Sequence, residues 1–208
     1  MTALFVALVL CADPVAGSPH VSMKSATSMC SGTVYRTFGN GSCWILTCAH
    51  GKQMGDRMTV RFDARNNEDG EVVGIDHKKD LAVVLTRHGK SRRNQQAVKI
   101  LAADAEWPDL NSSVVNYGYG TDKTYLQFHE RRSVIDSYYA HPTSAGEYMI
   151  RVKSSDRRGD SGGSLIQGDK LIGVTVFKIG HEGGNIDSGY VSYRTIRKFL
   201  HEVNRNPE

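Results

Sequence analysis

Three short segments carry residue types able to do nucleophilic chemistry. The most informative is Gly159-Asp160-Ser161-Gly162-Gly163-Ser164. Glycines around a serine let the backbone turn tightly and leave room beside its hydroxyl. In such a turn the N–H groups of Gly159 and Ser161 are the natural donors to a negatively charged oxygen. A serine attacks only when a base and an orienting acid accompany it. Read as a flexible Gly/Ser linker, the segment would be out of place, because strand-like runs flank it: Tyr148–Val152 before and Leu171–Val176 after.

The base is found in Trp44-Ile45-Leu46-Thr47-Cys48-Ala49-His50-Gly51, where an apolar strand runs into a histidine and then a glycine. Packing at the end of such a strand fixes an imidazole that the following turn exposes. A buried histidine with satisfied hydrogen bonds is the competing reading for His50 taken alone. The other histidines (His20, His77, His88, His129, His141, His181 and His201) lie mostly in polar stretches and read as solvated surface residues. The acid is found in Asp80-Leu81-Ala82-Val83-Val84-Leu85. A carboxylate just ahead of an apolar strand can accept the Nδ1–H of the base and stabilise its protonated form. Asp76 competes for that role but follows its own strand into the loop, so Asp80 is preferred.

The elements that must position these groups are short β-runs separated by Gly, Asn and Asp. Examples are Met58–Phe62, Glu71–Ile75 and Ser113–Tyr117. Their spacing predicts an all-β barrel or sandwich. Near the C-terminus, Ile196, Phe199, Leu200 and Val203 form one helical stripe between Tyr193 and Val203. The stretch Ala102–Asp109 reads as the connection between two lobes. No internal repeat or low-complexity segment is visible, and no further domain is expected after the helix.

Together the segments Thr47-Cys48-Ala49-His50, Asp80-Leu81-Ala82-Val83 and Gly159-Asp160-Ser161-Gly162-Gly163 resemble, in type and order, the three signatures of the chymotrypsin-fold (trypsin-like) serine proteases. Asn116-Tyr117-Gly118-Tyr119-Gly120 resembles the Gly-aromatic-Gly turn that opens the family's second barrel. The resemblance spans about residues 30 to 203, and the conjunction is far more specific than any one motif. It implies an all-β fold of two antiparallel six-stranded barrels with a C-terminal helix. The first barrel, 18–105, would carry His50 and Asp80; the second, 106–208, would carry Ser161 and the helix. It also implies a serine endopeptidase with His50, Asp80 and Ser161 as the triad and Gly159 and Ser161 as oxyanion donors. The alternatives are a catalytically silent binding module on the same fold and a protease acting mainly on its own precursor.

Further expectations follow from the resemblance. Asp160 should pair with an internal cation, Arg131 or Arg132, because no activation cleavage sequence is visible; this places the chain nearer the bacterial-type branch that works without zymogen cutting. A hairpin turning at Gly39-Asn40-Gly41 brings Cys30 nearly opposite Cys48. A disulfide between them would brace the strand of the base, with Cys43 left as a thiol; three reduced core cysteines are the alternative and would favour a cytoplasmic protein. The specificity pocket maps to Ser155 and Asp156, to Val176, Phe177 and Lys178, and to Ser188 and Gly189. Asp156 would attract a basic side chain and Lys178 an acidic one, so the preference stays open.

The rest of the chain bounds the partners. The 208 residues suit one two-lobed domain after loss of a leader over 1–17. Its apolar run Ala3–Ala12 and small residues Val15-Ala16-Gly17 fit a secretory signal rather than a membrane span, and imply a secreted or extracytoplasmic protein. The absence of Lys or Arg at its start and the interruption at Cys11 run against that, and a buried or disordered N-terminal segment is the alternative. The formal net charge is +4, and the densest basic run, Arg87–Arg93, reads as a solvated loop without the aromatic interleaving of a nucleic-acid surface. No Cys or His pair has metal-ligand spacing, so neither metal nor cofactor is expected, and the expected partner is a protein or peptide substrate. Asn40-Gly41-Ser42 and Asn111-Ser112-Ser113 are sequons that matter only in a glycosylating host.

Overall fold

The computed structural model of the chain describes residues 18–25, 28–50, 56–63, 66–87, 95–120, 127–154, 157–180 and 186–205. Six strands form the first barrel: β1 (His20–Lys24), β2 (Met29–Thr37), β3 (Cys43–Thr47), β4 (Arg57–Arg61), β5 (Asn67–Asp76) and β6 (Leu81–Thr86). They close in the order β1-β2-β3-β6-β5-β4, every neighbour antiparallel. The alternation of apolar and polar residues that marked these runs is the inward and outward alternation of the strands; in β4, for example, Met58 and Val60 are buried and their neighbours exposed. Closure removes the edges on which an open sheet of this kind would aggregate.

The second barrel is built from β8 (Ser113–Gly120), β9 (Gln127–Ala140), β10 (Tyr148–Val152), β11 (Ser164–Gln167), β12 (Lys170–Gly180) and β13 (Ile186–Ser192), following a two-residue strand β7 (Lys99–Ile100). The order β11-β8-β9-β10-β13-β12 closes through the β11–β12 pairing, and β7 adds to β12 in parallel. Both six-stranded antiparallel barrels and the C-terminal helix expected from the family resemblance are therefore present. The chain crosses between them abruptly: Val98 donates its N–H to Val34 in the first barrel, and Lys99 already pairs with Lys170 in the second.

Helix α1 (Tyr193–Arg205) buries Tyr193, Ile196, Phe199 and Leu200 on one stripe. Val203, on the same stripe, reaches the first barrel: a Cβ on Gly74 in β5 would meet its side chain at 2.6 Å. Arg205 stands in the last turn, where a cation complements the helix dipole. Ala140 to Tyr148 closes a turn between β9 and β10, fixed by the N–H of His141 donating to Glu147. Asn116–Gly120, which resembles the Gly-aromatic-Gly turn opening the family's second barrel, lies wholly within strand β8. The glycines serve a close approach. A Cβ on Gly118 or Gly120 would stand 2.7 or 2.3 Å from Asp160 Oδ1, so β8 is bare where a buried carboxylate crosses it.

Candidate active site

Thr47, the last residue of β3, pairs with Ala82 near the start of β6. The residues just beyond β3 and just before β6 therefore share one rim, which is where His50 and Asp80 stand. Asp80 Oδ2 lies 2.7 Å from His50 Nδ1. Its Oδ1 accepts the backbone N–H groups of Ala49 at 2.9 Å and His50 at 2.6 Å. One carboxylate thus holds both the ring and the backbone of the histidine. With the Nδ1 proton directed at Asp80, Nε2 is the nitrogen left to act as a base. The His50 side chain is 45% exposed and that of Asp80 only 20%, so the ring presents an open edge while the acid is sheltered behind it.

Asp80 adopts a left-handed backbone, with φ of 54°. That costs a non-glycine residue about 1 kcal/mol. Three hydrogen bonds to its charged carboxylate, each contributing roughly 1.5 kcal/mol or more when sheltered, outweigh the strain. Asp76, the competing acid, is used otherwise: Oδ1 accepts the N–H groups of Lys78 and Lys79, both at 2.9 Å, and Oδ2 pairs with Lys79 Nζ at 2.9 Å. Asp80 at Nδ1, followed by the Cys48 thiol, raises the pKa of His50 above the ordinary imidazole value; burial works in the opposite sense and loses.

The turn carrying Ser161 joins β10 to β11 and leans on the first barrel. Ser31 in β2 donates its N–H to the Ser161 carbonyl at 2.8 Å and its hydroxyl to the Gly159 carbonyl at 2.8 Å. Gly159 and Gly162 have φ of 98° and 84°, values that a Cβ would strain. Gly162 is also a contact point: a Cβ there would stand 2.3 Å from Thr47 Oγ1 and 3.1 Å from Cys48 N. The turn of the serine thus packs directly on the end of β3, the strand that leads to His50. Within the second barrel, Gly162 donates to Thr175 at 2.7 Å and Thr175 donates back to Gly163 at 2.9 Å.

Asp160 is completely buried, 0% exposed. Its Oδ1 lies 3.0 Å from His129 Nε2, and its Oδ2 lies 3.6 Å from Arg131 Nη1 and accepts the N–H of Arg157. Of the two expected cations Arg131 is in place; Arg132 lies against Glu130 instead, at 3.5 Å. Strand alternation separates them, since 129 and 131 share one face of β9 and 132 points the other way. His129 carried no motif of its own, yet its spacing of two from Arg131 on a strand marks it as a neighbour of the same site. His20 and His141 are likewise buried rather than solvated. His20 stacks on Tyr117 with ring centroids 4.3 Å apart, and its Nδ1 lies 3.0 Å from Ser164 Oγ, so a strand at the start of barrel one plugs into barrel two.

Of the specificity positions, Ser155 and Asp156 lie outside the described residues, as do the side chains of Phe177 and Lys178. The backbone register places Phe177 opposite Gly189 and Lys178 opposite Ser188. Val176, Ser188 and Gly189 are all buried. Ser188 donates its hydroxyl to the Ser154 carbonyl at 2.6 Å, tying β13 to the segment that leads to the serine turn.

The expected Cys30–Cys48 disulfide is not formed. Cys30, Cys43 and Cys48 are buried thiols, none joined in a disulfide. Cys30 and Cys48 are nonetheless hydrogen-bonded neighbours, and that contact together with burial pushes the Cys48 thiol well above its ordinary pKa. Cys30 also sits 3.7 Å from Thr47 Oγ1. Among the described residues no group of three His, Cys, Asp or Glu side chains is arranged to hold a metal ion. Among the same residues no helix is long and apolar enough to cross a membrane.

Residues 13–200 match the family model described as Trypsin. No protein of curated function matches the sequence significantly. Solved structures share the fold at low identity. Rv3671c from M. tuberculosis H37Rv, a mutant in its inactive form, is 18% identical with a TM-score of 0.70, over 93% of this chain and 90% of that one. A further inactive form of the Rv3671c protease is 19% identical with a TM-score of 0.68, over 90% of each chain. The serine endoprotease from Yersinia pestis is 18% identical with a TM-score of 0.71; the match covers 92% of this chain but 64% of that longer one.

Proposed function

The chain belongs to the trypsin family, and from that premise we propose that it is a serine endopeptidase working through an acyl-enzyme on Ser161. The observation that carries the proposal is the 2.7 Å contact between Asp80 Oδ2 and His50 Nδ1, which leaves the His50 Nε2 free to serve as base on the rim against which the serine turn packs. Ser161 Oγ attacks the scissile carbonyl carbon and gives its proton to His50 Nε2. The C–O bond forms as the carbonyl becomes an oxyanion, held by the N–H groups of Gly159 and Ser161. His50 then protonates the leaving amine as the peptide bond breaks. Water, deprotonated by the same histidine, releases the acyl group and restores the serine.

Asp80 acts by holding the imidazole in one tautomer and stabilising its charged form. Asp160 holds the turn of the serine in shape from inside the protein through His129 and Arg131, which supports a protease active without a cut N-terminus. The substrate is a peptide segment laid across the rim of both barrels, with its side chain directed toward Val176, Phe177, Lys178 and Gly189. A leader over 1–17 and an extracytoplasmic destination belong to the same reading and rest on the apolar run Ala3–Ala12. The test is cleavage of an unstructured protein substrate followed by mass spectrometry of the fragments. Hydrolysis that disappears in both Ser161→Ala and His50→Ala supports the proposal. Absence of cleavage by the folded wild-type chain across a broad peptide library would overturn it in favour of a silent binding module.

A further inference from the structure

Asp80 is set by the turn that precedes it, and that turn is held by the opposite barrel. Thr143, in the turn between β9 and β10, donates its hydroxyl to the Lys78 carbonyl at 2.7 Å. Thr143 is itself oriented by His141: its N–H donates to His141 Nδ1 at 3.3 Å, and its Oγ1 lies 3.3 Å from the same nitrogen. A ring accepting at Nδ1 carries its proton on Nε2 when neutral. That nitrogen is buried without a well-formed hydrogen bond, and the backbone of Lys79 lies beside the ring. Lys79 Nζ in turn reaches Glu202 of α1 at 2.7 Å. The second barrel and the helix thus grip residues 78 and 79 from two sides, immediately before a residue in a left-handed conformation.

We infer that Thr143, oriented by His141, is a positioning residue for the catalytic acid: by holding the Lys78 carbonyl it fixes the turn that aims Asp80 at His50. The inference rests on the reading of Asp80 as the acid of the triad. Neither residue touches substrate. Their effect passes through the Asp80–His50 hydrogen bond, and a small displacement there is costly because the imidazole must stay aligned with the serine. The grip also makes the first barrel's base and acid dependent on correct seating of the second barrel, which carries the nucleophile.

The full-length Thr143→Val protein keeps the β-branched shape and loses the hydroxyl; Thr143→Ser returns it. The expected result for Thr143→Val is a kcat on a peptide ester about 10- to 100-fold lower, with most of the loss in kcat rather than KM. The pH midpoint of the His50 imidazole, followed by NMR, should move down because Asp80 no longer holds the ring, and Thr143→Ser should restore both. His141→Gln should act in the same direction. Wild-type kcat together with an unmoved His50 midpoint in Thr143→Val would overturn the inference, as would a loss of kcat without any midpoint change. Should the wild-type chain hydrolyse nothing, the NMR titration decides alone. A downward move in Thr143→Val then supports the positioning role while the hydrolase reading fails, and an unmoved midpoint overturns the positioning role.

Discussion

Ser31 is bonded to Ser161 across the barrel interface, its N–H donating to the Ser161 carbonyl at 2.8 Å. Its hydroxyl donates to the carbonyl of Gly159 at 2.8 Å and accepts the N–H of Tyr119 at 2.7 Å. One first-barrel serine therefore holds the turn of Ser161 at two of its carbonyls, those of Gly159 and Ser161.

Replacing that hydroxyl removes its hydrogen bonds to the Gly159 carbonyl and the Tyr119 N–H, both buried. Ser31→Ala should cost about 1–3 kcal/mol of stability. It should also slow acylation, because the carbonyl of Gly159 is no longer fixed. Denaturant unfolding and stopped-flow acylation check the two effects. Unchanged stability and rate would mean that the turn keeps its shape without Ser31.

Asp80→Asn keeps the shape of the acid and removes its charge. The expected loss in kcat is about 10⁴-fold, the magnitude that the same change carries elsewhere in the family. The sign of the accompanying pH effect follows from the raised pKa of His50. A base must be neutral to act, so activity rises as pH climbs through that raised value. Without the carboxylate the His50 midpoint moves to lower pH, which an NMR titration of the imidazole reads directly. A midpoint unmoved by Asp80→Asn would place the cause of the shift elsewhere.

His20 gives the fold an acid limit. Burial lowers its pKa from 6.5 to about 4. Above pH 6.5 the ring is neutral in both folded and unfolded chains and pH has no effect through it. As pH falls from 6.5 toward 4 the unfolded chain takes up the proton first, and stability falls. The full loss from this one residue is about 3 kcal/mol. Unfolding free energies measured across that window should fall further for the wild type than for His20→Gln by about this amount. Parallel curves would show that His20 is not the responsible group.

The buried carboxylate of Asp160 should be the most sensitive position outside the triad. Removing its charge weakens the contacts with His129 Nε2 and Arg131 Nη1 inside the protein, and breaking a buried charged contact typically costs about 3–5 kcal/mol. Asp160→Asn should therefore lower both stability and acylation rate, and His129→Ala should do so less severely. Arg132→Ala should change neither, since Arg132 faces away toward Glu130. Wild-type stability and activity in Asp160→Asn would sink the idea that Asp160 locks the serine turn.

The parts of the site legible from residue order were those that strand periodicity and turn chemistry control. His50 and Asp80 could be read because each sits at the end of an apolar strand, and the β3–β6 register then brings them together. Gly162 was read as leaving room beside the serine; its positive φ and its packing on Thr47 emerge only from the fold. The contacts of Asp160 were half legible: a cation on β9 was expected, but choosing Arg131 over Arg132 and noticing His129 required knowing which face of β9 turns inward. Gly118 and Gly120 looked like turn residues because bareness for a close carboxylate and freedom for a turn use the same amino acid. His20, Ser31 and Thr143 were silent for another reason. Each acts on a residue more than 60 positions away, across the interface of two barrels, and no local pattern encodes that meeting.

The reaction of the folded chain with a fluorophosphonate probe tests the acyl-enzyme mechanism most directly, because the probe forms its bond only with a serine that a neighbouring base has activated. Intact-mass spectrometry should show one adduct per chain, and peptide mapping should place it on Ser161. The adduct should be absent from Ser161→Ala and strongly slowed in His50→Ala. No adduct on the folded wild-type protein, or an adduct on another residue that persists in Ser161→Ala, would contradict the mechanism.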